Sequence, residues 1–135
     1  MDGGAHMSLI LGIDPGSRKT GFGIIKTGDQ VGSKIEYVTS GIIRLPSGAL
    51  PARLKIIFDS ITQLIHQYKP QEMAIEEVFL ARDPSAAIKL GQARGAAIVA
   101  GVTVGLTVGE YAARTVKQSV VGSGAATKEQ VQHMV

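Results

Sequence analysis

Cysteine and tryptophan are both missing from this 135-residue sequence, and aromatic residues make up only 4% of it. Without cysteine there can be no disulfide and no thiolate metal centre, which fits a reducing cytoplasm. No apolar run approaches the roughly 20 residues that a membrane-spanning helix needs, so no membrane partner is expected. The first six residues, Met1 to His6, have neither a basic start nor an apolar stretch and so do not form a signal peptide. They read as a vector remnant, with Met7 as the native start. Histidine is scarce: His6, His66 and His133 are too far apart to share a metal ion by local spacing. There is no P-loop, and Gly21-Phe22-Gly23 lacks the remaining glycine and the helix of a dinucleotide fingerprint. Charge is only mildly one-sided, with 14 Lys and Arg against 11 Asp and Glu, a net of +3. That balance favours an anionic partner such as nucleic acid without demanding one.

What remains is one domain, residues 7–135, whose 44% hydrophobic content is enough for a core. The stretch Leu9-Ile10-Leu11-Gly12-Ile13 reads as a buried strand that carries Asp14 to its end, where Pro15-Gly16 turns the chain. A second apolar run, Gly21 to Ile25, follows at once as the other half of a hairpin. Asp14 is then either displayed at the strand edge for chemistry or spent on an Asx-type turn. Residues 34–45 continue the meander as a third strand and stop at Pro46-Ser47-Gly48. From Leu50 to Tyr68 the apolar residues recur at three and four, an amphipathic helix with Arg53, Asp59, Gln63 and Gln67 expected to face water.

Met73 to Phe79 reads as a buried strand interrupted by Glu76-Glu77. Asp83-Pro84 is an N-cap and first-turn proline for a helix running to about Thr103. Ala87, Gly91 and Gly95 are four apart, a register that lets a neighbour approach closely, and Ala96 to Val102 is apolar nearly all round. This helix is therefore expected to be buried on two sides, either inside one domain or against a second copy. A strand from Leu106, a helix over residues 112–121 and a helix opened by the capping-box pattern Thr127-Lys128-Glu129-Gln130 complete the order. That last helix looks cut short at Val135. A meander followed by alternating helices and strands gives an α/β fold, a mixed five-stranded sheet covered on both faces and flanked by helices, which is the ribonuclease H-like architecture, although other mixed topologies fit the same order.

In such a fold the first strand and the strand after the first helix are neighbours, which brings Asp14 beside Glu76. Two carboxylates so close repel unless a cation or a proton is shared between them, so the pair is a Mg²⁺ site or a proton-sharing dyad. Glu77 alternates to the other face, Asp59 lies on a solvent face and Asp83 is occupied as a cap. Phe79, at the strand's exit, either stacks on an unpaired base or fills the core. Lys117 and Lys128 are candidates for phosphate contact.

Several segments are similar to the bacterial RuvC Holliday-junction resolvases: Gly12-Ile13-Asp14-Pro15-Gly16-Ser17-Arg18, Ala74-Ile75-Glu76 with Val78-Phe79, Lys89-Leu90-Gly91-Gln92-Ala93-Arg94-Gly95, and Glu110-Tyr111 through Val116-Lys117-Gln118. The likeness runs from about Ser8 to Val135. It implies a homodimeric, Mg²⁺-dependent endonuclease that resolves four-way DNA junctions by paired symmetric nicks, alongside the RuvA and RuvB branch-migration proteins. Asp14 and Glu76 would be metal ligands and catalytic residues, with two ions per subunit in the complete protein. Phe79, Arg82, Lys117 and Lys128 would be the DNA contacts. The family continues into a helix with two further catalytic aspartates, so this chain is expected to bind junctions more readily than it cuts them. The Asp14-Pro15-Gly16-Ser17 turn also resembles the first phosphate loop of the actin, Hsp70 and sugar-kinase ATPases, which leaves an ATP-binding domain, or a junction-binding module without cleavage, as alternatives.

Overall fold

A computed structural model describes residues 7–16, 18–28, 35–77 and 83–111. The elements are β1 (Met7–Asp14), β2 (Lys19–Gly28), β3 (Ile35–Arg44), α1 (Leu50–Tyr68), β4 (Glu72–Glu76), α2 (Pro84–Thr103) and β5 (Thr107–Tyr111). They form one five-stranded sheet in the order β3-β2-β1-β4-β5. The first three strands make the expected antiparallel meander, with an irregularity in the β2–β3 pairing between Ile24 and Ile25. β4 then runs parallel to β1, and β5 parallel to β4. Parallel neighbours need a long crossover, which α1 and α2 supply.

Both described helices lie on one face of the sheet. α1 turns Ile57, Ile61 and Ile65 inward at a spacing of four, and α2 turns in Ala93, Ala97, Ala100 and Gly101. These residues meet Leu11, Ile13, Ile24, Met73 and Ile75 in one hydrophobic cluster. Leu11, Ile13, Ile61 and Ile75 are fully buried, each contributing about 1.5–3 kcal/mol through lost apolar exposure. The alternate residues point the other way, and Ile25 and Ala74 on that second face are 1% and 7% exposed. The centre of the second face is buried at these positions, but among the described residues the helices expected to cover both faces lie on one only.

The small inner surface of α2 brings it tight against the sheet. A methyl group added at Gly101 would lie 2.4 Å from Met73 Cε and 3.1 Å from Val108 Cγ2. Within the described residues the close approach is at Gly101, whereas a Cβ at Gly91 or Gly95 would meet nothing within 4 Å. Of the two alternatives for α2, burial on a second side inside the domain is not met among the described residues, since Ile88, Val99 and Val102 are 62%, 54% and 58% exposed, and the second copy stays an expectation. The reason is that one row of alanines suffices to seat the helix on β4 and β5, leaving its aliphatic outer row without a described neighbour. Arg53, expected to face water, is instead half-buried, lining a groove with Leu50, Ser85, Ile88, Lys89 and Gln92 between the starts of α1 and α2. A long methylene stem lets arginine cover apolar surface that a helical pattern would assign to solvent.

The register of β1 on β4 is pinned at the amino end by Gln71, whose backbone N–H donates to the Leu9 carbonyl at 2.9 Å. The Gln71 side-chain oxygen also accepts from the Leu9 N–H at 2.6 Å. α1 ends at Lys69, which adopts the left-handed conformation (φ 53°, ψ 54°) and closes the helix with its N–H on the Ile65 carbonyl. α2 starts as expected, with the Asp83 carboxylate accepting from the Ser85 N–H at 3.0 Å.

Candidate active site

β1 and β4 pair in parallel from Ile10 beside Glu72 to Ile13 beside Ile75. One step further along both strands, Asp14 and Glu76 stand at their carboxyl ends. Strand alternation turns both away from the helix-facing row of Ile13 and Ile75, so the two carboxylates share one face. Asp14 in turn pairs with Gly21 on β2, and the next row on this face holds Gly23, Gly12, Ala74 and Gly109. With no side chain in that row larger than a methyl, whatever lies on this face can come close to the backbone.

The turn after Asp14 is shaped by a steric requirement. A Cβ at Gly16 would sit 2.2 Å from the Lys19 carbonyl oxygen, so only glycine fits the observed path. The fully buried Thr20 hydroxyl lies 3.4 Å from both the N–H and the carbonyl oxygen of Gly16, accepting from one and able to donate to the other. The Asp14-Pro15-Gly16 segment is therefore held from inside the fold.

Glu76 presents an unusual oxygen. Its Oε2 is buried and has no hydrogen-bond partner among the described residues. A carboxylate oxygen removed from water without a donor costs several kcal/mol unless positive charge is nearby. A hard divalent cation satisfies it, and two carboxylates on one face are the oxygen donors such an ion takes. Among the described residues no third histidine or acid joins the pair to make a group of three. Glu77 follows β4 directly and is half-buried, Asp59 is exposed and ion-paired with Lys55, and Asp83 caps α2. Asp59 and Asp83 are placed as the sequence indicates, whereas Glu77, expected inside the strand, lies just beyond the end of β4. Phe79, Arg82, Lys117 and Lys128 lie outside the described residues, as do the helices expected over 112–121 and from 127.

One contact near the site was not singled out from the sequence. Arg94 of α2 donates from Nε to the Glu76 backbone carbonyl at 3.2 Å and forms an ion pair with Glu110 of β5. A signal for it existed, since Lys89 and Arg94 are the only charged residues in the 20-residue helix and Arg94 sits directly beside the inward-facing Ala93. A charge bordering an apolar face calls for a partner.

Comparison with known proteins places the chain in a family. The family model for crossover junction endodeoxyribonuclease RuvC matches residues 10–135. A protein of that name from Saccharophagus degradans is 61% identical over 130 residues, which is 96% of this chain and 73% of the relative. Its counterpart from Teredinibacter turnerae is 60% identical over 134 residues, covering 96% and 74%. Among solved structures, Thermus thermophilus RuvC aligns with a TM-score of 0.70 at 31% identity, over 93% of this chain and 76% of that one. The T. thermophilus RuvC in complex with Holliday junction substrate gives a TM-score of 0.75 at 22% identity, over 93% and 88%. The yeast mitochondrial Holliday junction resolvase Ydc2 shares the fold at a TM-score of 0.57 and 10% identity, over 78% and 53%. A strand register that sets two carboxylates side by side, a family model spanning almost the whole sequence and relatives at 60% identity lead to one assignment: this chain belongs to the RuvC family of crossover junction endodeoxyribonucleases.

Proposed function

We propose that this chain is the nuclease domain of a Holliday-junction resolvase, with Asp14 and Glu76 as its metal-holding carboxylates. The observation that carries the reading is the buried Oε2 of Glu76, without a hydrogen-bond partner among the described residues, one register step beyond the Ile13–Ile75 pair. Mg²⁺ is the cation we assign, because an all-oxygen donor set suits it, and two ions per subunit is the arrangement we infer for the complete site. When bound, the metal supplies Lewis-acid stabilisation of charge on a phosphodiester under attack. The chain's own residues hold the carboxylates at the ends of two central strands and, at Gly12, Gly21 and Gly23, leave room on the face beside them; among the described residues no donor reaches the Glu76 oxygen.

Phe79, Arg82, Lys117 and Lys128 are proposed as contacts to junction DNA, the lysines through phosphate. The exposed aliphatic row of α2, with Ile88, Val99 and Val102, supports a homodimer, and two copies related by a two-fold axis match a junction that is cut symmetrically. Cooperation with RuvA and RuvB in the cytoplasm belongs to the same proposal. Among the described residues, no helix is long and apolar enough to cross a membrane.

The test is nicking of a synthetic four-way junction in Mg²⁺ by Asp14→Asn and Glu76→Gln, made both in this chain and in one extended to its relatives' full length. Both variants should lose cleavage and keep metal-free junction binding. Cleavage by either variant refutes the assignment of that carboxylate. Cleavage by the extended parent alone, with binding by both lengths, supports the expectation that this chain grips junctions more readily than it cuts them.

A further inference from the structure

Arg94 joins three elements at the carboxyl end of β4. Its Nε donates to the backbone carbonyl of Glu76, the last residue of that strand, while its terminal nitrogen pairs with Glu110 on β5. Glu110 stands beside Ile75 in the β4–β5 register, so it shares the helix-facing side, opposite the Glu76 carboxylate. The arginine therefore never touches the carboxylate and reaches only the peptide that carries it. Its root is fixed, because Ala93 and Ala97 on either side are 2% and 0% exposed, and its own side chain is 20% exposed.

A strand's last carbonyl has little ladder left to hold it, and rotation of the Glu76 peptide swings the side chain on the opposite face. We infer that Arg94 is a positioning residue for the metal site, fixing the Glu76 main chain so that its buried oxygen faces the cation. Glu110 holds the guanidinium in place and balances its charge. The inference rests on Glu76 being a metal ligand, as proposed above. Contacts that orient a ligand from behind typically change metal affinity by about 10- to 100-fold when lost.

Mn²⁺ uptake without DNA, followed by electron paramagnetic resonance of the free ion, tests this directly, with thermal unfolding of each variant alongside. Arg94→Ala should weaken Mn²⁺ binding by about 10-fold. Glu110→Gln leaves the carbonyl bond in place and should stay within about 2-fold of the parent, as expected for loss of a half-exposed ion pair. Arg94→Lys offers a single compact donor and should fall between the two. Unchanged Mn²⁺ binding in Arg94→Ala, or a loss in Glu110→Gln as large as in Arg94→Ala, overturns the inference. Should Arg94→Ala fail to fold, parent-level binding by Arg94→Lys overturns it instead. Glu76→Gln separates the two levels: if it keeps full Mn²⁺ binding the ligand assignment itself fails, and if it loses binding while the Arg94 variants do not, only the role of Arg94 fails. A parent chain that takes up no Mn²⁺ counts against both.

Discussion

Gly16→Ala adds one methyl group where the chain leaves the first carboxylate, and its cost can be worked from the structure. The new Cβ would sit 2.2 Å from the Lys19 carbonyl oxygen and 3.4 Å from its carbon, while real Cβ contacts begin near 3.0 Å. The obstacle is main chain, which has no rotamer to escape into, so the turn must open by about 0.8 Å. Overpacking of this kind costs about 1–3 kcal/mol. Opening the turn also draws the Gly16 peptide away from the buried Thr20 hydroxyl, already at 3.4 Å, and an unsatisfied buried hydroxyl adds roughly 1–3 kcal/mol. A total of about 2–6 kcal/mol is expected, measured by urea unfolding with an unchanged m-value. Gly91→Ala is the control: its Cβ meets nothing within 4 Å inside a helix, so it should stabilise by about 0.5–1 kcal/mol. If Gly16→Ala unfolds within about 0.5 kcal/mol of the parent, the close approach at Lys19 does not shape this turn and the reasoning fails.

Ile75→Ala, at a fully buried position next to Glu76, should cost about 2–5 kcal/mol in denaturant unfolding. Lys69→Gly should do the reverse and raise stability by a few tenths to about 1 kcal/mol, because Lys69 holds a left-handed conformation that glycine adopts freely. Asp83→Ala removes the carboxylate that accepts from the Ser85 N–H and should cost about 0.5–2 kcal/mol, seen as a lower unfolding midpoint. Val99→Glu with Val102→Glu places charge on the exposed row of α2; sedimentation should then give a monomer with the parent's thermal midpoint, and a dimer unaffected by both changes would remove this row from the interface.

Local pattern was a good guide wherever one element settles its own limits. The range of α1 follows from the recurrence of Ile57, Ile61 and Ile65 and from Pro46 and Pro70 outside its ends, so its observed span matches the expectation. β1 was legible for the same reason; β4 was legible as a strand but ends at Glu76, leaving Glu77 outside it, and the adjacency of the two followed once the element order pointed to a ribonuclease H-like sheet. Periodicity failed where the decision belongs to a neighbour. The spacing of Gly91 and Gly95 marks small residues but cannot say that Gly101 is the one Met73 presses against. Arg53 reads as polar although it is half-buried in the groove between α1 and α2. The link from Arg94 to Glu76 and Glu110 spans three elements, and no single stretch of sequence encodes it.

The parallel pairing of β1 and β4 also governs when a working site can exist. Asp14 and Glu76 are 62 residues apart in the chain, and nothing between them brings the pair together until the α1 crossover has closed on the sheet. Forming such a non-local pairing requires loop closure before any contact rewards it, which places it late in folding. On the function proposed above, an incompletely folded chain therefore carries the two acids but not the paired site. Conversely, a cation that binds only the paired carboxylates binds only folded molecules, so by mass action it should raise the unfolding temperature with concentration, tying the endurance of the fold to the proposed ion.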